Sequence, residues 1–277
     1  MDLDNKYGLK ECQETLLSMI KKIDKLFSDS GIFYTFVYGS ALGAVREKGF
    51  IPWDDDIDIA VLREDVDLVV KTLSQLEYYF ETSEEHLRPS APIMHVSCVD
   101  KRDITKDFDI KQYPEIDIWI IDRVPQNPVK RRIARLVGLS HDFFTYRQAP
   151  INHGDFVNNV AAFIINHISK NALDILQRKT LDYMLWLGKN ENCVTEAYHI
   201  KHFRVYDRAF LLDAVRIPFE DMLVPVPRKY DEYLTIVYGD YMTPPPETST
   251  NSTQTKSRRR DRGTAVTYST RMPDHHS

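Results

Sequence analysis

Cysteine is sparse in this sequence and patternless. Cys12, Cys98 and Cys193 are odd in number and far apart, with no CxxC pair and no zinc spacing. They read as small buried hydrophobes in a reducing compartment. Positive charge is also short. The 36 Lys and Arg face 41 Asp and Glu, a net charge of −5, so nothing draws the chain in general to nucleic acid or to an anionic membrane. Long hydrophobic runs are missing. A membrane span needs roughly 18 to 20 apolar residues, and the longest candidate, FVNNVAAFIINHI, is broken by Asn158, Asn159, Asn166 and His167. The opening MDLDNKYGLK has no apolar stretch of the signal-peptide kind. The expectation is a cytoplasmic protein. His141, His153, His167, His199 and His202 show no metal-ligand spacing, and no internal repeat is present.

What is there is an ordinary globular composition in 277 residues, enough for one large domain or two small ones. Leu9, Cys12, Leu16, Met19, Ile20, Ile23 and Phe27 recur at helical spacing, and Gly31 follows as a stop. FYTFVYG reads as a strand, SALGAVREKG as a short helix, IDIAVL as a strand and Arg63 to Leu76 as a helix. IMHVSCVD and EIDIWII read as further strands. Beyond Pro125 the pattern turns helical over 128–147 and 157–188, with short strands expected between 193 and 224 and a closing helix from Arg228 to Val237. The alternation predicts an α+β fold, a mixed sheet flanked by helices with a mostly helical C-terminal part. Its expected units are 1–125, 126–247 and a Ser/Thr-rich tail, 248–277, carrying the basic run KSRRRDR. That composition predicts disorder.

The most unusual stretch is GFIPWDDDIDIAVL, where Asp54, Asp55, Asp56 and Asp58 crowd the mouth of an apolar strand. Strand side chains alternate, so Asp56 and Asp58 share a face roughly 7 Å apart at Cα, while Ile57 and Ile59 face a core. Unpaired, such carboxylates repel one another, and a hard divalent ion, Mg²⁺ or Mn²⁺, removes that penalty. Asp54 and Asp55 read equally as a solvated acidic turn. The spacing is not that of an EF-hand, which needs a glycine at the sixth position and a glutamate at the twelfth. Asp117, a lone carboxylate inside EIDIWII, is the candidate to complete the set if its strand lies beside IDIAVL. Glu115 and Asp122 flank it and are expected to be exposed. Gly39 and Ser40, in YGSALGAVR, mark a strand-to-helix turn whose free N–H groups suit a phosphate.

An apolar-Gly-Ser turn, an Asp-x-Asp strand and a third Asp on a later strand resemble the polymerase-β-type nucleotidyltransferase fold. The longer string YGSALGAVREKGFIPWDDDIDIAVLRED is similar to the LicD family of phosphocholine transferases, to which fukutin-related proteins are also similar. The resemblance continues in EIDIWIIDRVP and VPRKYDEYLTIVYGDYMTPPPE and spans most of residues 9–247. It departs from the family at Glu47, where members often carry a histidine after the arginine, so no histidine role is carried over. It implies transfer of a phospho-alcohol from a CDP-activated donor (CDP-choline or a CDP-alditol) to a hydroxyl of a glycan or lipid-linked glycan, with release of CMP. Asp56, Asp58 and Asp117 would hold the metal, and Asp117 could take the proton of the attacking hydroxyl. Gly39 and Ser40 would cradle phosphate. Arg46 would neutralise the leaving group, and Lys48 reads equally as surface charge. Trp53 reads equally as a stacking platform for a base or a choline cation and as a packing residue.

Two other classes remain open on the sequence: a nucleotidyltransferase that moves an NMP and releases pyrophosphate, and a non-catalytic nucleotide-binding relative. The basic segment VKRRIARLVGLSHDFF reads either as a surface helix packed on the core or as a peripheral contact with the inner face of a membrane.

Overall fold

The structure is a computed structural model, and it describes residues 9–82, 94–100, 102, 113–146, 163, 167–196 and 203–244. The chain divides into two compact units, Met1–Tyr241 and Met242–Ser277; of the second, residues 242–244 are described. The expected disordered tail, 248–277, lies outside the described residues, as do most of 157–169.

Helix α1, Leu9–Ser30, buries Leu16, Met19, Ile20, Ile23 and Phe27, the apolar face its spacing predicts. Each such side chain contributes about 1.5–3 kcal/mol on leaving water. The chain turns at Gly31, whose φ of +68° is the left-handed conformation glycine adopts freely. Strand β1, Tyr34–Phe36, is shorter than the aromatic run FYTFVYG suggests. It ends because Tyr38 takes φ +46° and starts α2, Tyr38–Leu42, which continues as a π-turn over Gly43–Glu47.

Strand β2, Asp56–Leu62, is followed by a 3₁₀ turn over Arg63–Asp65 and by α3, Val66–Leu73. Three more strands follow: β3 (Tyr78–Thr82), which the sequence reading missed, β4 (Met94–Asp100) and β5 (Glu115–Val124). The sheet order is β1-β2-β5-β4-β3. β2 and β5 are parallel and central, and β1, β4 and β3 pair antiparallel around them. Ile57, Ile59, Ile116 and Ile118 are fully buried from one set of alternate positions, in the core to which α1 contributes.

Helix α4, Pro128–Tyr146, packs on α5, Lys170–Gly188. Gly188 is where α5 meets β5: a Cβ there would lie 2.0 Å from the Arg123 carbonyl oxygen. Strand β6 (Cys193–Thr195) extends the far end of β5, with Thr195 opposite Asp122, and β7 (Tyr206–Asp207) pairs with β6. A short helix absent from the sequence expectation, α6 (Arg208–Leu212), leads into the hairpin β8 (Ala214–Phe219) and β9 (Met222–Pro227), and α7 (Tyr230–Tyr238) closes the unit. The fold is the expected α+β arrangement, and after residue 126 its described residues are mostly helical.

The three cysteines are half-buried rather than fully buried, and none is in a disulfide. Asp122, expected at an exposed strand end, is buried at 4% exposure. Arg63 makes this tolerable, donating from Nε and Nη2 to the two carboxylate oxygens at 2.7 Å each. Among the described residues no helix is long and apolar enough to cross a membrane.

Candidate active site

The parallel pairing of β2 with β5 builds the site. Its register sets Asp58 opposite Asp117 and Asp56 opposite Glu115. Alternation then turns all four carboxylates to one face, where each keeps partial exposure. The condition on which Asp117 joined the pair is therefore met. Glu115 stands on the same face, half-buried rather than exposed.

The turn before α2 is tied to this face. The Ser40 hydroxyl oxygen accepts the Asp58 backbone N–H at 2.8 Å, and the Val37 N–H donates to the Asp58 carbonyl at 3.2 Å. Ser40 is thus a buried clamp between α2 and β2, at 4% exposure. Gly39 passes close to the acidic loop: a Cβ there would lie 3.1 Å from Asp54 Oδ2. The loop is held from behind by Gln13, whose Nε2 donates to the carbonyls of Ile51 at 3.2 Å and Asp54 at 2.9 Å. Asp54 is half-buried, and Asp55 is exposed as a solvated turn residue should be.

Crowding shows in the electrostatics. Burial, then Asp55, pushes the Asp54 carboxyl up to about 7. Asp56 is held well above the usual carboxylate range by burial and then by Asp58, Asp54, Asp117 and Asp55. Asp58 is raised likewise by burial and then Asp117, and the Trp119 indole opposes the shift by donating from Nε1 to Asp58 Oδ1 at 2.7 Å.

Among the described residues no three His, Cys, Asp or Glu side chains converge into a ready-made metal cage. The donor set nonetheless suits a hard divalent cation. It is all carboxylate, its members share one face, and each raises its neighbours' proton affinity in the absence of positive charge. Asp56, Asp58 and Asp117 would hold such an ion.

The basic candidates are placed differently. Arg46 is nearly buried, with 7% of its side chain exposed. Its Nε donates to Glu47 Oε1 at 2.7 Å and its Nη1 to the Tyr241 carbonyl at 2.9 Å. Its Nη2 is buried and, among the described residues, has no partner. Lys48 is exposed with φ +60° and closes the π-turn, and its carbonyl accepts the Glu220 N–H at 2.8 Å. The largest influences on Asp54, Asp56 and Asp58 are burial and neighbouring carboxylates, not Arg46 or Lys48. Trp53 is half-buried against the main core, as its packing reading has it.

Several residues at the site escaped the sequence reading. Trp119 shares the face of Asp117 two positions along β5, a signal the alternation did contain. Tyr38 packs edge-on against Trp119 at 4.9 Å between ring centres. The Tyr238 phenol, on α7, is held far above its usual range by burial and the charges of Asp58, Asp54 and Asp56, with Arg204 opposing. Tyr38 is raised by burial, then by Glu196 and Asp58. Glu196 and Arg204 therefore lie within electrostatic reach of the site's rim, and no local pattern announced them.

Residues 31–131 match the LicD/FKTN/FKRP nucleotidyltransferase domain family. They span β1 through the start of α4 and contain Asp54, Asp55, Asp56, Asp58, Glu115 and Asp117. The candidate site thus lies in a stretch similar to the LicD family. The similarity to one LicD protein runs further. The chain is 27% identical over 254 residues to the lipopolysaccharide cholinephosphotransferase LicD of Haemophilus influenzae, covering 87% of this chain and 94% of that one. An uncharacterized protein of Rickettsia prowazekii is 38% identical over 63 residues, 23% of this chain and 24% of its own. One of Rickettsia typhi is 41% identical over 51 residues, 18% of this chain and 16% of its own. The LicD likeness thus extends well beyond the domain, into the part that carries Glu196, Arg204 and Tyr238.

Proposed function

We propose that this chain is a metal-dependent phosphotransferase. It moves phosphocholine, or a similar phospho-alditol, from a CDP-activated donor to a hydroxyl of a cell-surface glycan and releases CMP. The observation that carries this is the register of Asp58 opposite Asp117 on parallel strands, with Asp56 on the same face and the α2 turn clamped to it by Ser40. The similarity to a lipopolysaccharide cholinephosphotransferase supports the choice of donor and acceptor class.

The acceptor oxygen attacks the phosphorus that carries the alcohol, and the bond from that phosphorus to the bridging oxygen breaks. CMP departs with that oxygen, and Asp117 takes the proton of the attacking hydroxyl. Mg²⁺ or Mn²⁺ bound at Asp56, Asp58 and Asp117 would neutralise the pyrophosphate charge. Gly39, without a side chain, leaves the α2 turn open beside Asp54 for the phosphates. The buried guanidinium of Arg46 carries the charge for the leaving group.

The test is product analysis with Mg²⁺ or Mn²⁺, offering CDP-choline, CDP-ribitol, CDP-glycerol and CTP, with a glycan acceptor and with Asp58→Ala as control. CMP release from one CDP-alcohol is expected, lowered at least ~10²-fold in the variant, the scale of losing one transition-state electrostatic contact. Pyrophosphate release from CTP would reassign the protein to the nucleotidyltransferases. Near-normal turnover by Asp58→Ala would remove the site assignment.

A further inference from the structure

Helix α4 carries an apolar stripe that the described fold does not cover. On α4, Val129 is 69%, Ile133 39% and Leu136 59% exposed, at i, i+4 and i+7, so they form one stripe. The opposite side of the helix buries Ala134 and His141.

Charge says what covers the surface. The chain as a whole carries −5. Within α4, four Lys and Arg face one Asp and no Glu. Arg132, exposed on α4, borders the stripe, three residues from Val129 and four from Leu136. A basic amphipathic helix with an exposed apolar stripe has the chemistry of a bilayer interface. The apolar groups enter the acyl boundary and the cations meet anionic lipid. A second copy of the chain, docking face to face, would oppose positive charge to positive charge.

We propose that this face seats the protein on an anionic lipid bilayer, with α4 lying along the headgroups. The surface is separate from the carboxylate site and does not depend on the reaction assigned to it. Under that reaction, it brings the site to the membrane where a lipid-borne acceptor resides.

The experiment is co-sedimentation of the full chain with vesicles, without donor or acceptor, so that its outcome is independent of turnover. Vesicles of phosphatidylcholine alone are compared with vesicles containing phosphatidylglycerol, at low and high salt. Expected is binding to the anionic vesicles, at least about tenfold weaker to neutral ones and weakened by salt. Leu136→Glu and Arg132→Glu, both at exposed positions, each lower the partition about tenfold while circular dichroism stays unchanged. Absence of binding to anionic vesicles at low salt overturns the proposal. So does undiminished binding by both helix variants, which would assign binding to the basic run at 256–262. A dimer that Leu136→Glu dissolves, without vesicle binding, assigns the face to a second copy instead.

Discussion

The indole N–H of Trp119 donates to Asp58 Oδ1 at 2.7 Å, from a residue two positions along β5 from Asp117. One side chain thus fixes the carboxylate of the neighbouring strand and occupies one of its two oxygens. Tyr38 buttresses the indole edge-on. Asp58 therefore presents Oδ2 to any ligand, in an orientation set before that ligand arrives.

Trp119→Phe keeps most of the ring volume and removes the donor. The half-buried carboxylate then loses its neutral hydrogen-bond partner, which costs about 1–3 kcal/mol of stability. Turnover in the CMP-release assay is expected to fall about tenfold as Asp58 becomes free to rotate. Unchanged turnover, with the stability loss intact, would show that the bond serves folding alone.

Tyr38 begins α2 with φ +46°, a conformation that strains a bulky residue by about 1–3 kcal/mol. Its N–H donates to the Tyr233 hydroxyl at 3.3 Å, and Tyr233 is fully buried. Tyr233→Phe leaves that N–H without its acceptor beside a strained residue. The expected loss is about 1–2 kcal/mol in urea unfolding, with a rise in KM for the donor because the Gly39–Ser40 turn is no longer pinned. A KM equal to wild type would separate Tyr233 from the site.

Legibility followed the range of the interaction. The period-2 alternation of IDIAVL and EIDIWII was plain, and it identified the three aspartates with their faces. Their pairing was readable only as a condition, because nothing in either strand states its register. Local preference misled at FYTFVYG, where aromatic residues favour a strand but the chain leaves it at Phe36 to start α2. YYFET was passed over as a strand because it gains its meaning from β4, its antiparallel partner. Asp122 looked exposed because its partner, Arg63, lies 59 residues away. Glu196, Arg204 and Tyr238 reach the rim of the site from elements more than seventy residues beyond Asp117, so only the fold could show them.

Gly188 lets the last turn of α5 touch the backbone of β5. Gly188→Ala would set a methyl 2.0 Å from the Arg123 carbonyl oxygen and 2.6 Å from its carbon. Backbone cannot yield there as a flexible side chain would, so the helix must shift outward. The expected cost is about 1–3 kcal/mol or more, the range of overpacked cores. It falls on the docking of α4 and α5, so vesicle binding should weaken together with stability. A variant as stable as wild type would show that α5 can move without loss.

Glu196 supplies a pH-dependent contribution. It is fully enclosed, at 3% exposure, and Tyr206 donates its hydroxyl to Oε1 at 3.1 Å. Oε2 is buried and, among the described residues, has no partner. Burial pushes its carboxyl up from 4.5 to about 7, against the lowering influence of its own backbone bond, Arg204 and Tyr206. The phenols of Tyr38 and Tyr233 face it as well. The native state thus binds a proton that the unfolded chain releases near 4.5. Between pH 4.5 and 7 the folded form holds more protons, so stability falls as pH rises through that window and levels off above it. Glu196→Gln removes the titration. The variant should gain up to about 3 kcal/mol on wild type between pH 5 and pH 8, the equivalent of that shift. Asp54, Asp56 and Asp58 titrate with the same sign in both proteins. The readout is therefore the difference between the two urea midpoints at each pH, not the slope of either. Parallel midpoints across the window would mean that Glu196 stays ionised in the fold, held by Arg204.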